Sequence, residues 1–361
     1  MFLWGVAGSG YQAEGSAPAS NWSRHASGYR DSVDFLHRYP EDIALAADLG
    51  VRVFRWCVEW ARVQPTPGKW DFSFYDDVMS RVRAAGMRPM ITLDHWVYPA
   101  WAGGWRQATM LADWLANAEK VVGRYAGDGS MWITFNEPVV YMAQEIRLGS
   151  FDPRMPVRLV RAHRRAYRMI HSHDPDAMVS SNTAYLPLVS HGSDLAFLAW
   201  VADTLDFVGI DYYYDVRPGN LTAVYATAGE LWRIDPEPKG IYHALRGYAR
   251  RFPKLPLYVV ENGMPTDNGR PRADGYTRSD HLRDHVYWVL RARSEGVNVI
   301  GFNYWSLTDN FEWGSYRPRF GLYTVDVETD PELVRRPTDA VAAYREIIAA
   351  GGLPAGYRPL R

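Results

Sequence analysis

Cysteine is almost absent from this chain. The single thiol, Cys57, excludes an intramolecular disulfide, and no cluster of cysteine and histidine has the spacing of a zinc site. Cys57 follows a strand-like apolar run and reads as a small buried side chain, not as a nucleophile. A charge imbalance is lacking too. With 40 Lys and Arg against 41 Asp and Glu the net charge is −1, which gives no general pull toward nucleic acid or an anionic membrane. The apolar opening Met1-Phe2-Leu3-Trp4-Gly5-Val6-Ala7 is short and has no basic leader, so neither a signal peptide nor a membrane span is expected and the location expected is cytoplasmic. A glycine-rich phosphate loop is also missing, because Gly8-Ser9-Gly10 continues as Tyr11-Gln12-Ala13-Glu14-Gly15.

What is present is material for a large core: 361 residues, 47% hydrophobic and 22% charged. Fifteen tryptophans and 23 tyrosines stand out, since aromatic faces stack on the C–H faces of sugars while keeping a polar edge. Eight apolar, β-rich runs recur: Phe2 to Ala7, Val51 to Trp56, Arg88 to Leu93, Met131 to Phe135, Met178 to Asn182, Phe207 to Tyr212, Leu257 to Val260 and Val299 to Trp305. Helical patterns alternate with them: Glu41 to Leu49, Phe74 to Ala85, Met110 to Tyr125, Val157 to His171, Asp194 to Asp203, Gly240 to Arg251, Ser279 to Glu295 and Thr338 to Ala349. Eight strands alternating with eight helices predict an α/β chain folded as a (β/α)8 TIM barrel. No linker or composition shift divides it, so one domain is expected over residues 1–361, with 351–361 as a C-terminal tail. An open doubly wound sheet shares the alternation but would bring the missing phosphate loop.

In such a barrel the chemistry gathers where strands end. The fourth run stops at Asn136-Glu137-Pro138, because a proline has no amide hydrogen to continue a ladder. Glu137 is therefore either a cap or ion-pair partner, or a catalytic acid. The seventh run ends in Glu261, followed by Asn262-Gly263. Two glutamates facing one cleft suit glycoside hydrolysis: at roughly 5 Å apart one attacks and configuration is retained, and at about 6.5 Å or more a water fits and configuration inverts. Arg55, at the end of the second run, favours an ionised neighbour, and that charge keeps the other carboxyl protonated. Which glutamate plays which role stays open on these grounds.

Taken together, Trp4 to Gly15, Arg55 to Pro65, Thr92-Leu93-Asp94-His95-Trp96, Thr134-Phe135-Asn136-Glu137-Pro138, Val260-Glu261-Asn262-Gly263 and Trp305 to Trp313 resemble glycoside hydrolase family 1, the retaining β-glycosidases. The resemblance implies Glu137 as acid/base and Glu261 as nucleophile, supported by Arg55 and by Tyr213. It implies Gln12, His95, Trp96, Asn136, Trp305, Glu312 and Trp313 as the sugar-binding set, with no metal and no cofactor. A neutral β-linked sugar is expected, glucose first and then galactose or fucose, because Glu312 would repel a 6-phosphate. A transglycosidase on the same site and a catalytically silent sugar-binding member of the fold are the alternatives.

Two departures from the family pattern matter. The sixth strand ends Asp211-Tyr212-Tyr213-Tyr214 where the family reads Asn-Tyr-Tyr, so an acid replaces an amide and the extra tyrosine allows a register one residue off. Segments between Gly15 and Tyr29, after Tyr214, and between Asn262 and Arg278 are short, which predicts an open leaving-group side suited to a bulky or flat aglycone. Elsewhere, Glu59 and Arg62 read as an ion pair, Glu14 as a brace or a ligand contact, Asp309 and Asn310 as loop supports, and His281 and His285 as a solvated helix face.

Overall fold

The computed structural model describes residues 2–23, 28–185, 197–215 and 221–361. Nine parallel strands form its main sheet: β1 (Leu3–Ala7), β2 (Val53–Cys57), β3 (Arg88–Thr92), β4 (Met131–Ile133), β5 (Met178–Ser180), β6 (Asn182–Ala184), β7 (Val208–Asp211), β8 (Leu257–Glu261) and β9 (Val299–Trp305). Their order is β5-β4-β3-β2-β1-β9-β8-β7-β6. The two edge strands are successive in the chain, separated by Ser181 alone. They are the two halves of the expected fifth strand, the first pairing with β4 and the second with β7. The sheet thus closes through its own backbone into the (β/α)8 barrel.

Most predicted boundaries hold within two residues. Helices Ser73–Ala84, Met110–Tyr125, Met155–His173, Pro238–Arg251, Arg278–Ser294 and Asp339–Ala350 cover the outside. The first long helix, Phe35–Asp48, begins before Pro40, not after it; the proline sits in its second turn and forfeits a backbone bond without ending the helix. The predicted helix from Asp194 starts outside the described residues, and the described part is one turn, Leu198–Val201, followed by a 3-10 turn. A helix at Pro138–Arg147 was not expected. Pro138 occupies its first turn, where a missing amide hydrogen costs nothing, so the proline that stops the ladder also starts a helix. Residues 351–361 carry no strand or helix, yet Asp284 binds the backbone amides of Leu360 and Arg361 at 3.0 and 3.1 Å and anchors them to the barrel.

The barrel interior holds Val53, Met90, Met131, Ile133, Phe207, Tyr258 and Val260 in one cluster. A much larger apolar layer lies between strands and helices. Because strand side chains alternate, the residue two beyond an interior one also points inward, toward the open end of the barrel. Among the described residues no helix is long and apolar enough to cross a membrane.

Candidate active site

That alternation delivers Arg55, two residues after Val53, and Thr92, two after Met90. Glu261 arrives differently. Tyr258 and Val260 are interior residues, so strict alternation would turn Glu261 outward. The pairing of β7 with β8 skips one residue here, running from Ile210↔Val259 to Asp211↔Glu261. This bulge turns Glu261 to the same side as Val260, a known use of bulges at strand ends. Gly263 follows because a Cβ there would lie 1.9 Å from the Trp305 carbonyl oxygen.

Glu137 follows β4 in a left-handed backbone conformation, φ 39° and ψ 65°, at the N-cap of Pro138–Arg147. Its side chain makes no capping bond, so the capping role open to it in the sequence is not the one it takes. Trp96 (φ 70°) and Trp313 (φ 52°) share this uncommon backbone region and line the same cleft. Non-glycine residues held there cost energy that the surrounding structure must impose, and they cluster at functional sites.

One oxygen from each of Glu137, Asp211 and Glu261 lies within 4.8 Å of the other two, and all three side chains are buried. Arg55 is fully buried behind them. Its Nη1 donates to Glu261 Oε1, Nη2 to Asn136 Oδ1 at 2.6 Å, and Nε to Thr92 Oγ1 at 3.2 Å. The Tyr213 hydroxyl donates to the second Glu261 oxygen at 2.7 Å, which fixes the tyrosine register. Burial opposes the Arg55 cation, and the neighbouring acids, the Glu261 charge first among them, outweigh that effect. Among the described residues no cation contacts Glu137. Burial, then the charge of Glu261, pushes its carboxyl up to about 8. One carboxylate is thus held by a guanidinium and a phenol while its partner keeps a proton. The positive charge that the cluster's geometry invites is already supplied by Arg55.

The remaining expected residues line this cleft of about 250 Å³. Asn136 Oδ1 is taken by Arg55 and by Asn182 Nδ2 at 2.7 Å, which turns its Nδ2 toward His95 at 3.3 Å and Glu137 at 3.5 Å. The His95 ring stacks on Trp305 at 5.9 Å, and burial, then Arg55, holds it well below its ordinary value and neutral. Its Nδ1 meets no partner among the described residues. Gln12 Nε2 and Trp305 Nε1 donate to the two Glu312 oxygens at 3.1 and 2.8 Å. Burial pushes Glu312 up to about 8, so charge repulsion of a phosphate operates only at alkaline pH. Trp96 Nε1 donates to the Asn136 carbonyl at 2.7 Å, and Trp313, 40% exposed, forms the rim.

Other readings are corrected or extended. Arg62 pairs with Glu14 at 2.6 Å and not with Glu59, and Glu14 also accepts from Tyr75 at 2.7 Å and Trp56 at 3.1 Å, so it braces the first loop. Asp309 holds the loop through Gly321, Thr324 and Val325. His281 and His285 are not solvated: both are buried, their rings stack 3.8 Å apart, and His281 reaches the cleft wall. The helix turns that face inward with Leu282, Val286 and Val289. Sequence reasoning missed Asn182, although it ends a predicted strand as the other site residues do, and it missed Tyr185 and Met264 on the wall, which carry no local signal.

Known proteins resemble this chain over nearly its whole length. The sequence model of Glycosyl hydrolase family 1 matches residues 1–191 and 192–353. A 1,4-beta-D-glucan glucohydrolase from Thermotoga neapolitana is 28% identical over 445 residues, covering 98% of both chains. Beta-glucosidase A from Thermotoga maritima is 27% identical over 441 residues with the same coverage. The solved Thermotoga maritima beta-glucosidase in complex with deoxynojirimycin superposes with a TM-score of 0.81 at 26% identity, covering 98% of each chain. Alignments that exceed the 361 residues of this chain mean that the relatives carry insertions it lacks.

Proposed function

The chain belongs to glycosyl hydrolase family 1, and from that membership and the cleft we propose that it is a retaining β-glycosidase acting on a neutral β-glycoside, glucoside first, with Glu261 as nucleophile and Glu137 as acid/base. The observation that carries this reading is the pair itself: carboxyl oxygens within 4.8 Å of each other, one side bonded by Arg55 and Tyr213, the other protonated. A separation of about 5 Å suits direct attack and is too small for an intervening water.

In the first step Glu261 attacks the anomeric carbon while the Glu137 proton passes to the glycosidic oxygen, and the aglycone leaves as an alcohol. The Glu261 charge disappears into the ester bond. Glu137, now a carboxylate, takes a proton from water as that water attacks the same carbon; the ester bond to Glu261 breaks, its carboxylate is regenerated, and the sugar departs with its configuration retained. Asn136 Nδ2 is placed to donate to the hydroxyl beside the reacting carbon. Gln12, His95 and Glu312 are placed to hold the others, with Trp305 as floor and Trp96 and Trp313 at the rim.

The cleft lining includes the apolar side chains Trp22, Val97, Val140, Leu231 and Met264, which could take up an apolar leaving group. The insertions present in relatives are missing from this chain, which supports an aglycone that is bulky or flat. A panel of nitrophenyl and naphthyl glycosides followed by NMR tests both parts. Hydrolysis with the β-anomer released first is expected, and naphthyl-sized leaving groups should give higher kcat/KM than phenyl ones of equal pKa. Release of the α-anomer first would defeat the retaining assignment, and equal turnover across sizes would defeat the aglycone assignment.

A further inference from the structure

Asp211 stands where the family pattern has an asparagine, and the site as described so far has no use for an extra acid. It ends β7 opposite Glu261, is 1% exposed, and lines the cleft. One of its oxygens accepts from Asn182 Nδ2, and the other, Oδ1, meets no donor among the described residues. Among the described residues the one cation in contact with the cluster is Arg55, and the described bonds of its nitrogens go to Glu261, Asn136 and Thr92, not to Asp211. The titratable groups around Asp211 are Glu137 from the loop after β4, Glu261 from β8, Arg55 from β2, and Tyr213 on its own strand end; Glu312 acts on Glu137, and Glu137 acts on Tyr214. A buried carboxylate with one hydrogen bond, beside two more carboxyls and one committed cation, is a costly arrangement. A protonated one is not. It carries an O–H that needs an acceptor, and the nearest carboxyl without a cation on it is Glu137.

The geometry points to Asp211 as a positioning residue that stays a neutral acid and donates its O–H to Glu137 while Glu137 gives its own proton to the leaving oxygen. The step balances without a second transfer: the Glu137 proton moves to the aglycone, the Asp211 proton stays on Asp211, and the bond between them becomes O–H···O⁻. The new Glu137 carboxylate is then bound by Asp211 and by Asn136 Nδ2 at 3.5 Å. Burial, then the charges of Glu261 and Glu137, holds the Asp211 carboxyl well above its ordinary value, in keeping with this order of proton loss. A hydrogen bond with Asp211 acts on Glu137 in the lowering direction. An asparagine would offer an N–H in the same place but a weaker donor to an oxyanion. Glu137 is thereby a stronger acid than burial alone would leave it, which favours glycosides with poor leaving groups.

This inference rests on the reading of Glu137 as the acid, and its test separates the two. The pH dependence of kcat/KM is measured for phenyl and dinitrophenyl glycosides of the preferred sugar with the wild type, Asp211→Ala and Asp211→Asn. Loss of the donor raises the Glu137 carboxyl, so the alkaline limb of Asp211→Ala moves up by about one pH unit. Below the limb, kcat/KM for the phenyl glycoside falls about three- to tenfold, and for the dinitrophenyl glycoside, which needs little acid help, it stays within about twofold. Asp211→Asn keeps a donor, folds as an isostere of the neutral acid, and falls between. Were Asp211 a carboxylate, removing its charge would move the limb down; either that or an unmoved limb overturns the proposal. A second readout does not need turnover. In protein labelled with carbon-13 at the aspartate carboxyl, the resonance absent from Asp211→Asn sits at the carboxylic-acid position at neutral pH, and a carboxylate position there overturns the proposal. If no glycoside is hydrolysed, the reading of Glu137 fails, and the labelled carboxyl still decides where the proton on Asp211 is.

Discussion

Two arginines among the described residues have side chains fully buried against carboxylates, and they do opposite things. Arg335 and Asp42, both with side chains at 0% exposure, meet through two bonds, Nε to Oδ1 at 2.8 Å and Nη2 to Oδ2 at 2.9 Å. The rest of the guanidinium is satisfied by the carbonyls of Val33 at 2.7 Å and Leu333 at 2.8 Å. One cation faces one anion, and nothing is left over. Arg55 at the mouth of the barrel faces Glu261, Asp211 and Glu137. There the acids outnumber the cation, so protons must make up the difference, and protons can leave. A buried ion pair that is complete fastens the helix Phe35–Asp48 to the segment before the last helix. An incomplete one has mobile protons to use in a reaction. The contrast can be broken by experiment at several points.

The largest effect is expected at Glu261. Its replacement by alanine should lower hydrolysis by on the order of 10⁴-fold or more, because no other group can form the glycosyl ester. Azide should restore turnover and give the inverted product. Stability should change little, since Glu137 or Asp211 can ionise in its place and keep Arg55 paired. A mutant of wild-type activity would end the assignment, and a large loss of stability would mean that the spare acids do not compensate.

Asp42→Ala should behave in the reverse way. No spare acid bonds Arg335 among the described residues, so the guanidinium is left buried and unpaired, a change that costs about 3–5 kcal/mol. Urea unfolding should show the loss, and the kcat of folded enzyme should match the wild type. If Asp42→Ala and Glu261→Ala lose similar stability, the distinction between complete and incomplete pairs is wrong.

Both arginines are equally visible as letters, yet only one of them could be read. Arg55 lies on a period-2 strand that points it up the barrel, and Glu137 and Glu261 stand at strand ends; those positions follow from alternation and from Pro138. The helix expected around Asp339 and the eight-fold alternation are legible for the same reason. The bulge that turns Glu261 inward depends on a skipped pairing between β7 and β8, which no single strand encodes. The break at Ser181, which splits the fifth run, depends on the closure of the whole ring. His281 and His285 were misread because polar side chains at helical spacing suggest water, whereas here they pack inward. Asp42 and Arg335 are 293 positions apart, and their pairing is a product of the fold alone.

A smaller effect should come from the second bond on the nucleophile. Tyr213→Phe removes the hydroxyl 2.7 Å from Glu261 without opening a cavity of note. Hydrogen bonds to charged groups contribute about 1.5–3 kcal/mol, so kcat should fall about ten- to a hundredfold with little change in stability. The complete pair has a counterpart in the carbonyl contacts of Arg335, whose loss would register in stability alone. A Tyr213→Phe enzyme that unfolds more easily but turns over normally would place Arg55 and its partners with the structural pair.

The smallest effect expected is a gain. Glu137 has its carboxyl pushed up to about 8, first by burial and then by the Glu261 charge, from an ordinary value of 4.5. Between those two values the folded protein holds a proton that the unfolded chain has released. By linkage its contribution to stability is complete below about pH 4.5, declines as pH rises through this window, and is gone above about 8. Glu137→Gln keeps the shape and never ionises, so the variant escapes that decline. It should be more stable than the wild type at pH 8 by on the order of 1 kcal/mol, with the difference shrinking toward pH 4.5, while hydrolysis of poor leaving groups is nearly lost. Urea midpoints of both proteins across this range measure it. A difference that grows toward acid instead would mean that Glu137 is ionised in the folded protein, and the surplus of acids around Arg55 would then be held by charge pairing as at Arg335, not by protons.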